Sequence, residues 1–176
     1  CAALRDVVAY FSRMQVAFEP KVTIQFSVSL PENHGGWGRS HASYNTPSSM
    51  IRLNADAGVA AWGIASSDAL ARSFLTHEFV HLGMHLVLAE RLSLVPHHWQ
   101  EFLAYAIQFA LMSPPLLVAI LRAYADVKAF ESLGHVNEAT RARGPERFAV
   151  AAYKTYLSRG RTTFLRQVLE LDIQLP

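Results

Sequence analysis

Cysteine is nearly absent: Cys1 is the only one in 176 residues, which excludes an internal disulfide framework and any cysteine-based zinc knuckle. Charge is scarce too. At 17% charged and 51% hydrophobic residues, the chain has ample material for a core and does not read as disordered. Neither sign of charge dominates, since sixteen Lys and Arg face fourteen Asp and Glu. The pI near 8.9 follows from that small surplus and not from a basic patch, so nucleic acid is not an expected partner. Long apolar runs are also missing. The longest, 107–121, is broken by Pro114 and Pro115, and no transmembrane segment is expected. Position 1 lacks an initiator Met, and Cys1 reads either as the lipidation site of an exported lipoprotein or as a cleavage boundary. That start leans toward a secreted or periplasmic location over a cytoplasmic one. The oligomeric state is not legible.

The length suits one domain over 1–176, with a helix and small sheet in 1–66 and a helical part in 67–176. Leu4, Val7, Val8, Phe11 and Met14 form the apolar stripe of an amphipathic helix over 2–18, closed by Pro20. Val22, Ile24, Phe26, Val28 and Leu30 alternate with polar or small residues and predict a strand. Residues 31–38 hold three glycines and a proline and predict a loop. Two short strands, 41–44 and 50–53, flank turn chemistry at 45–48 and predict an antiparallel hairpin. From Ser67 the pattern becomes helical: 68–91 with Ser67-Asp68 as N-cap, Pro96 to Met112, and Pro114 to Lys128. After a polar stretch at 134–144, helices are predicted over 145–158 and 163–171, separated by Gly160. The expected class is α+β and predominantly helical, with about three strands in a small mixed sheet.

Eight histidines are the compositional oddity. His77-Glu78-Phe79-Val80-His81 places two of them four residues apart within a predicted helix. That spacing turns them through about 400°, so both imidazoles leave one face and can share a metal ion. Glu78 lies about 100° around from His77, within reach of a water at that ion without being a ligand. Two neutral nitrogen ligands, a nearby carboxylate base and an open position are what metal-assisted hydrolysis needs. Phe74, Leu75, Phe79, Val80 and Leu82 make the helix apolar on more than one side, where two histidines and a glutamate are costly unless paired or metal-bound. Glu101, on the next helix, reaches the same face if the two helices run antiparallel, which completes a His₂Glu set with water in the fourth position. Its alternative reading is a solvated glutamate favoured by the helix dipole.

His77-Glu78-x-x-His81 followed by Glu101-x-x-Ala104 resembles the gluzincin metallopeptidases, the thermolysin-like branch of the zincins. The likeness is strong over 39–113. It implies a zincin-like fold, with N-terminal helix and small mixed sheet followed by an active-site helix and a helical C-terminal half. It implies Zn²⁺ held by His77, His81 and Glu101, Glu78 as general base, and a peptide or protein substrate. The strands at 41–44 and 50–54 resemble the family's edge strand and its neighbour, which implies that an extended peptide adds to the edge through backbone groups near Ala42 and Ser43. The stretches 148–160 and 164–169 resemble closing helices of compact members.

Some positions depart from the family pattern. Gln100 stands where many relatives carry Asn before the ligand glutamate. Tyr105 stands where relatives often carry an acidic residue that orients a zinc histidine, so that partner must come from elsewhere. For the downstream oxyanion donor, Tyr153 and His135 are candidates, but neither sits in a matching motif, and their plain readings, a core tyrosine and a loop histidine, come first. His85 continues the face of His77 and His81, as a substrate or ligand-orienting contact or a plain helix histidine. His97 and His98 are rival ligands to Glu101, and His34 and His41 fall in the loop and edge strand beside the cleft. Gly35-Gly36-x-Gly38 lacks the Lys-Ser/Thr of a phosphate loop and reads as a flap.

Two other functions compete with zinc-dependent peptide hydrolysis. One is a catalytically weak or inactive zinc-binding domain, whose structural metal is closed by a fourth protein ligand such as His85 or His97. The other is a metal-free helical interaction domain with a coincidental motif.

Overall fold

The structure, a computed structural model, describes residues 1–27, 42–45, 50–54 and 60–176. Helix α1, Ala2–Arg13, buries Ala3, Val7, Tyr10 and Phe11 on the expected stripe. It stops short of the 2–18 span that the apolar spacing suggests. The Val16 N–H donates back to Phe11 O and the Gln15 N–H to Ser12 O, with Gln15 at φ 63°. That is a Schellman ending, with Gln15 in the left-handed position glycine usually takes.

Three strands follow: β1 (Thr23–Ser27), β2 (Ala42–Asn45) and β3 (Met50–Asn54). Their order is β1-β3-β2, with β1 parallel and β2 antiparallel to β3. The mixed sheet and the β2–β3 pairing match expectation. Residues 28–30 of the long predicted strand, the 31–38 loop with His34, His41, and 46–48 of the predicted turn lie outside the described residues. Ile51 on β3 is fully buried, and β2, at the sheet's edge, packs on the next helix.

The C-terminal part is helical, so the chain is α+β and predominantly helical, as expected. Helix α2, Asp68–Leu88, is capped by Ser67, whose Oγ accepts the Leu70 N–H at 3.2 Å. It gives way at Ala89 to a 3₁₀ segment, Ala89–Leu94, where the sequence suggested helix to Arg91. Pro96 then starts α3, His97–Ala110. Contacts pair Ser73 with Gln108, His77 with Tyr105 and His81 with Glu101, so α2 and α3 run antiparallel. Gly83 lets α1 approach α2: a Cβ there would meet Phe11 Cζ at 3.0 Å. On the other face of α3 lies α6, Pro145–Ser158, with Phe148 against Tyr105 and Tyr153 against Phe109.

Helix α4, Pro114–Ala123, is shorter than predicted. The polar stretch 134–144, for which the sequence predicts no helix, contains α5, Glu138–Arg143. Asn137 caps it: Oδ1 accepts from the Thr140 N–H at 2.9 Å while Nδ2 donates to Gly134 O at 2.8 Å. Helix α7, Thr162–Glu170, closes the chain, and its Phe164 meets Phe102 of α3 edge-on. Among the described residues no helix is long and apolar enough to cross a membrane.

Candidate metal centre

Three side chains from two helices converge. His77 Nε2 and His81 Nε2 lie 3.1 Å apart, and the Glu101 carboxylate oxygens lie 3.7 Å from the first and 3.4 Å from the second. His77 is 8% exposed, in a setting where two ring nitrogens and a carboxylate need a proton or a cation between them. The separations also suit one ion. Ligands about 2.0–2.1 Å from a tetrahedral zinc stand about 3.3 Å from one another. The pairing that places Glu101 here is the antiparallel course of α2 and α3, with fully buried Ala104 on the same helix.

Electrostatics distinguish the members. Burial lowers His77 to about 4, against the pull of Glu101, so it is neutral near pH 7. Burial works the same way on His81, but its hydrogen bond to Glu101 and the charges of Glu101 and Glu78 outweigh it and raise the group. For Glu101, burial favours the acid form, yet His81 and His77 together hold the carboxyl well below its usual range. Glu78 is 8% exposed, and burial raises it to about 7, with Glu101 adding and His81 opposing. The backbone N–H of Tyr44 on β2 donates to the Glu78 carboxylate.

That bond orients the edge strand. Backbone groups alternate sides along an antiparallel pair, so Ala42 faces the same way as Tyr44, toward the centre, while Ser43 faces β3. Of the two expected backbone contacts, Ala42 is on the open side and Ser43 is directed into the sheet.

The residue that orients a histidine is Gln108. The Ser73 hydroxyl donates to Leu70 O at 2.8 Å, and the Gln108 amide nitrogen donates to Ser73 Oγ at 3.2 Å. This leaves Gln108 Oε1 facing His77 Nδ1 at 3.1 Å, so Nδ1 carries the proton and donates. The lone pair of His77 Nε2 is thereby turned toward Glu101 and His81. Tyr105, at the position where the family pattern carries an acidic residue, instead lays its ring against His77, centroids 4.5 Å apart. Gln108→Leu keeps the volume but strands the His77 N–H. Zinc affinity is expected to fall about 10- to 100-fold in competition with a chromophoric chelator, with the helical circular dichroism unchanged.

The profile of a family of unknown function, DUF6639, matches residues 1–175. The chain belongs to the DUF6639 family. No curated protein and no solved structure matches it.

In this DUF6639 chain the other histidines stand apart. His77, His81 and Glu101 are the only ligand-bearing group of three or more close enough to hold one ion among the described residues. His97, 63% exposed on its side chain, touches Glu101 Oε1 from outside at 3.5 Å but does not join that group. His85 points to Tyr44, ring centroids 6.3 Å apart, and its buried Nδ1 has no hydrogen-bond partner among the described residues. The buried Nε2 of His98 also lacks one. The two oxyanion candidates sit elsewhere: Tyr153 is buried against Phe109 and Tyr156, and His135 is exposed on a 3₁₀ turn beside Ser132. What α5 adds, unforeseen in the sequence, is Glu138 beside His97 and, behind it, Arg141.

Proposed function

We propose that the chain is a zinc-dependent metallopeptidase of gluzincin-like, zincin-like character, with His77, His81 and Glu101 as ligands and Glu78 as general base. The observation that carries the reading is the convergence of the three ligand atoms at separations matching the edges of one tetrahedral site, with no fourth protein ligand among the described residues. The gluzincin resemblance of His77-Glu78-x-x-His81 and Glu101 supports the same reaction class. When bound, the ion lowers the pKa of water toward neutrality and polarises the scissile carbonyl. Gln108 fixes the tautomer of His77. Glu78 takes the proton released as water attacks the carbonyl carbon and delivers it to the amine as the C–N bond breaks. Its bond from the Tyr44 N–H aims the carboxylate, and the open side of β2 at Ala42 is where an extended peptide would pair.

The test is cleavage of unstructured peptides by protein carrying one equivalent of zinc, read by mass spectrometry. Cleavage that stops with chelator and returns with zinc is the expected result. A zinc-replete protein that cleaves nothing, with its metal in a closed three-nitrogen, one-oxygen shell by X-ray absorption, would instead establish the structural-metal reading, with His97 as the nearest fourth ligand.

A further inference from the structure

Helix α5 brings to the centre a cation that the ligand set does not require. Arg141 is only 17% exposed on its side chain and is clamped by Glu138: its Nε lies 3.2 Å from both carboxylate oxygens and its Nη2 2.6 Å from one. From there a chain of contacts leads inward. Glu138 Oε2 is 3.9 Å from His97 Nδ1, and His97 Nε2 is 3.5 Å from Glu101 Oε1. The Arg141 charge is felt at His77, Glu101 and Tyr105. The clamp uses Nε and Nη2, and among the described residues no acceptor takes Nη1.

Tyr105 is a second donor of the same kind. Its ring is fixed between His77 and Phe148, and among the described residues nothing hydrogen-bonds its hydroxyl. The carboxylates whose charge reaches Tyr105 are engaged elsewhere: Glu101 by three imidazoles, Glu78 by the Tyr44 N–H, and Glu146 by the Trp62 N–H and the Tyr124 hydroxyl. Two donor groups beside a metal centre, Arg141 Nη1 and the Tyr105 hydroxyl, have no acceptor among the described residues. A guanidinium prefers an anion to a neutral carbonyl, and its fork matches a carboxylate. In an unmodified peptide, the carboxylate present whatever the side chains is the one at the C-terminus.

We propose that Arg141 and Tyr105 receive the C-terminal carboxylate of a peptide, so that the chain acts close to the carboxyl ends of its substrates. This rests on the peptidase reading above. Both residues then set specificity by binding and do not act on the reacting bond.

Two peptides, identical except for a free carboxylate or a carboxamide at the C-terminus, separate the possibilities when titrated calorimetrically into zinc-loaded Glu78→Gln protein. The free acid is expected to bind about 10- to 100-fold more tightly, as for a charge-assisted pair. Adding Arg141→Gln collapses that ratio toward one, and adding Tyr105→Phe lowers it several-fold. Equal affinity for acid and amide overturns the proposal with Arg141 intact, whether or not the variants fold. A preference that survives Arg141→Gln overturns it as well, because the carboxylate then sits on the metal. Turnover by the unsubstituted protein keeps the two readings apart. Equal cleavage of both peptides sustains the peptidase and removes the carboxylate site. Arg141-dependent binding of the acid without any cleavage sustains the carboxylate site and removes the peptidase.

Discussion

Glu78→Gln keeps its zinc, loses about 10²- to 10⁴-fold in peptide turnover, and gains stability when the metal is stripped. The loss of turnover follows from the side chain's task, since an amide cannot take up the proton of the attacking water. The gain follows from burial. The Glu78 carboxyl is held up to about 7 in the folded chain, whereas an unfolded chain ionises it near 4.5. Between those values the folded chain keeps a proton that the unfolded chain has lost. Stability therefore falls as pH rises through this window, and the loss is complete above about pH 7. The gap is worth on the order of 3 kcal/mol. Glutamine has no such titration and still accepts from the Tyr44 N–H. Chelator-treated Glu78→Gln is thus expected to melt about 6–12 °C above chelator-treated wild type at pH 8, and level with it below pH 4. Thermal melting across that range checks the sign. Equal melting at every pH would mean that Glu78 does not ionise in a buried setting.

Glu101→Ala is expected to abolish zinc retention. Two imidazoles one helical turn apart remain, but the oxygen ligand from α3 is gone. The loss should exceed the 10- to 100-fold that an outer partner such as Gln108 is worth. Melting temperature reports it without any assay of activity. At zinc about 1,000 times its dissociation constant, binding stabilises the native state by about 4 kcal/mol, or about 8–16 °C in a domain of this size. Wild type should show that increase, and Glu101→Ala should show almost none. A variant that still gains stability from stoichiometric zinc would take Glu101 out of the ligand set. His81→Ala is expected to behave alike.

Much of this centre is readable from spacing. Four residues on a helix put His77 and His81 on one face, and Pro96 restarts the chain so that Glu101 falls opposite them. Gln108 was readable too. It lies seven residues beyond Glu101, on the same face of α3, and is a polar side chain in an otherwise apolar stretch. The gluzincin resemblance points elsewhere, to an acid four residues after Glu101, where Tyr105 stands. Helix ends were legible where glycine marks them. Gly160 adopts φ 96° and ends α6, with the Arg161 N–H donating to Tyr156 O. The same ending is made by Gln15 after α1 and by Leu171 after α7, at φ 63° and 61°, and nothing in those residue types announces it. Helix α5 is hidden in the sequence for another reason. At Glu138–Arg143 it is a short, polar segment with no buried residue, so no apolar period reveals it. Arg141 owes its place beside the centre to the packing of α5 on α3 and α6, which no local pattern encodes.

Anomalous diffraction at the zinc edge, from crystals grown with one equivalent of the metal, tests the ligand assignment most directly. The expected map has a single peak bounded by His77 Nε2, His81 Nε2 and a Glu101 oxygen, with the remaining position turned to solvent beside Glu78. A peak elsewhere, none at all, or one whose fourth position is filled by a protein side chain would contradict it.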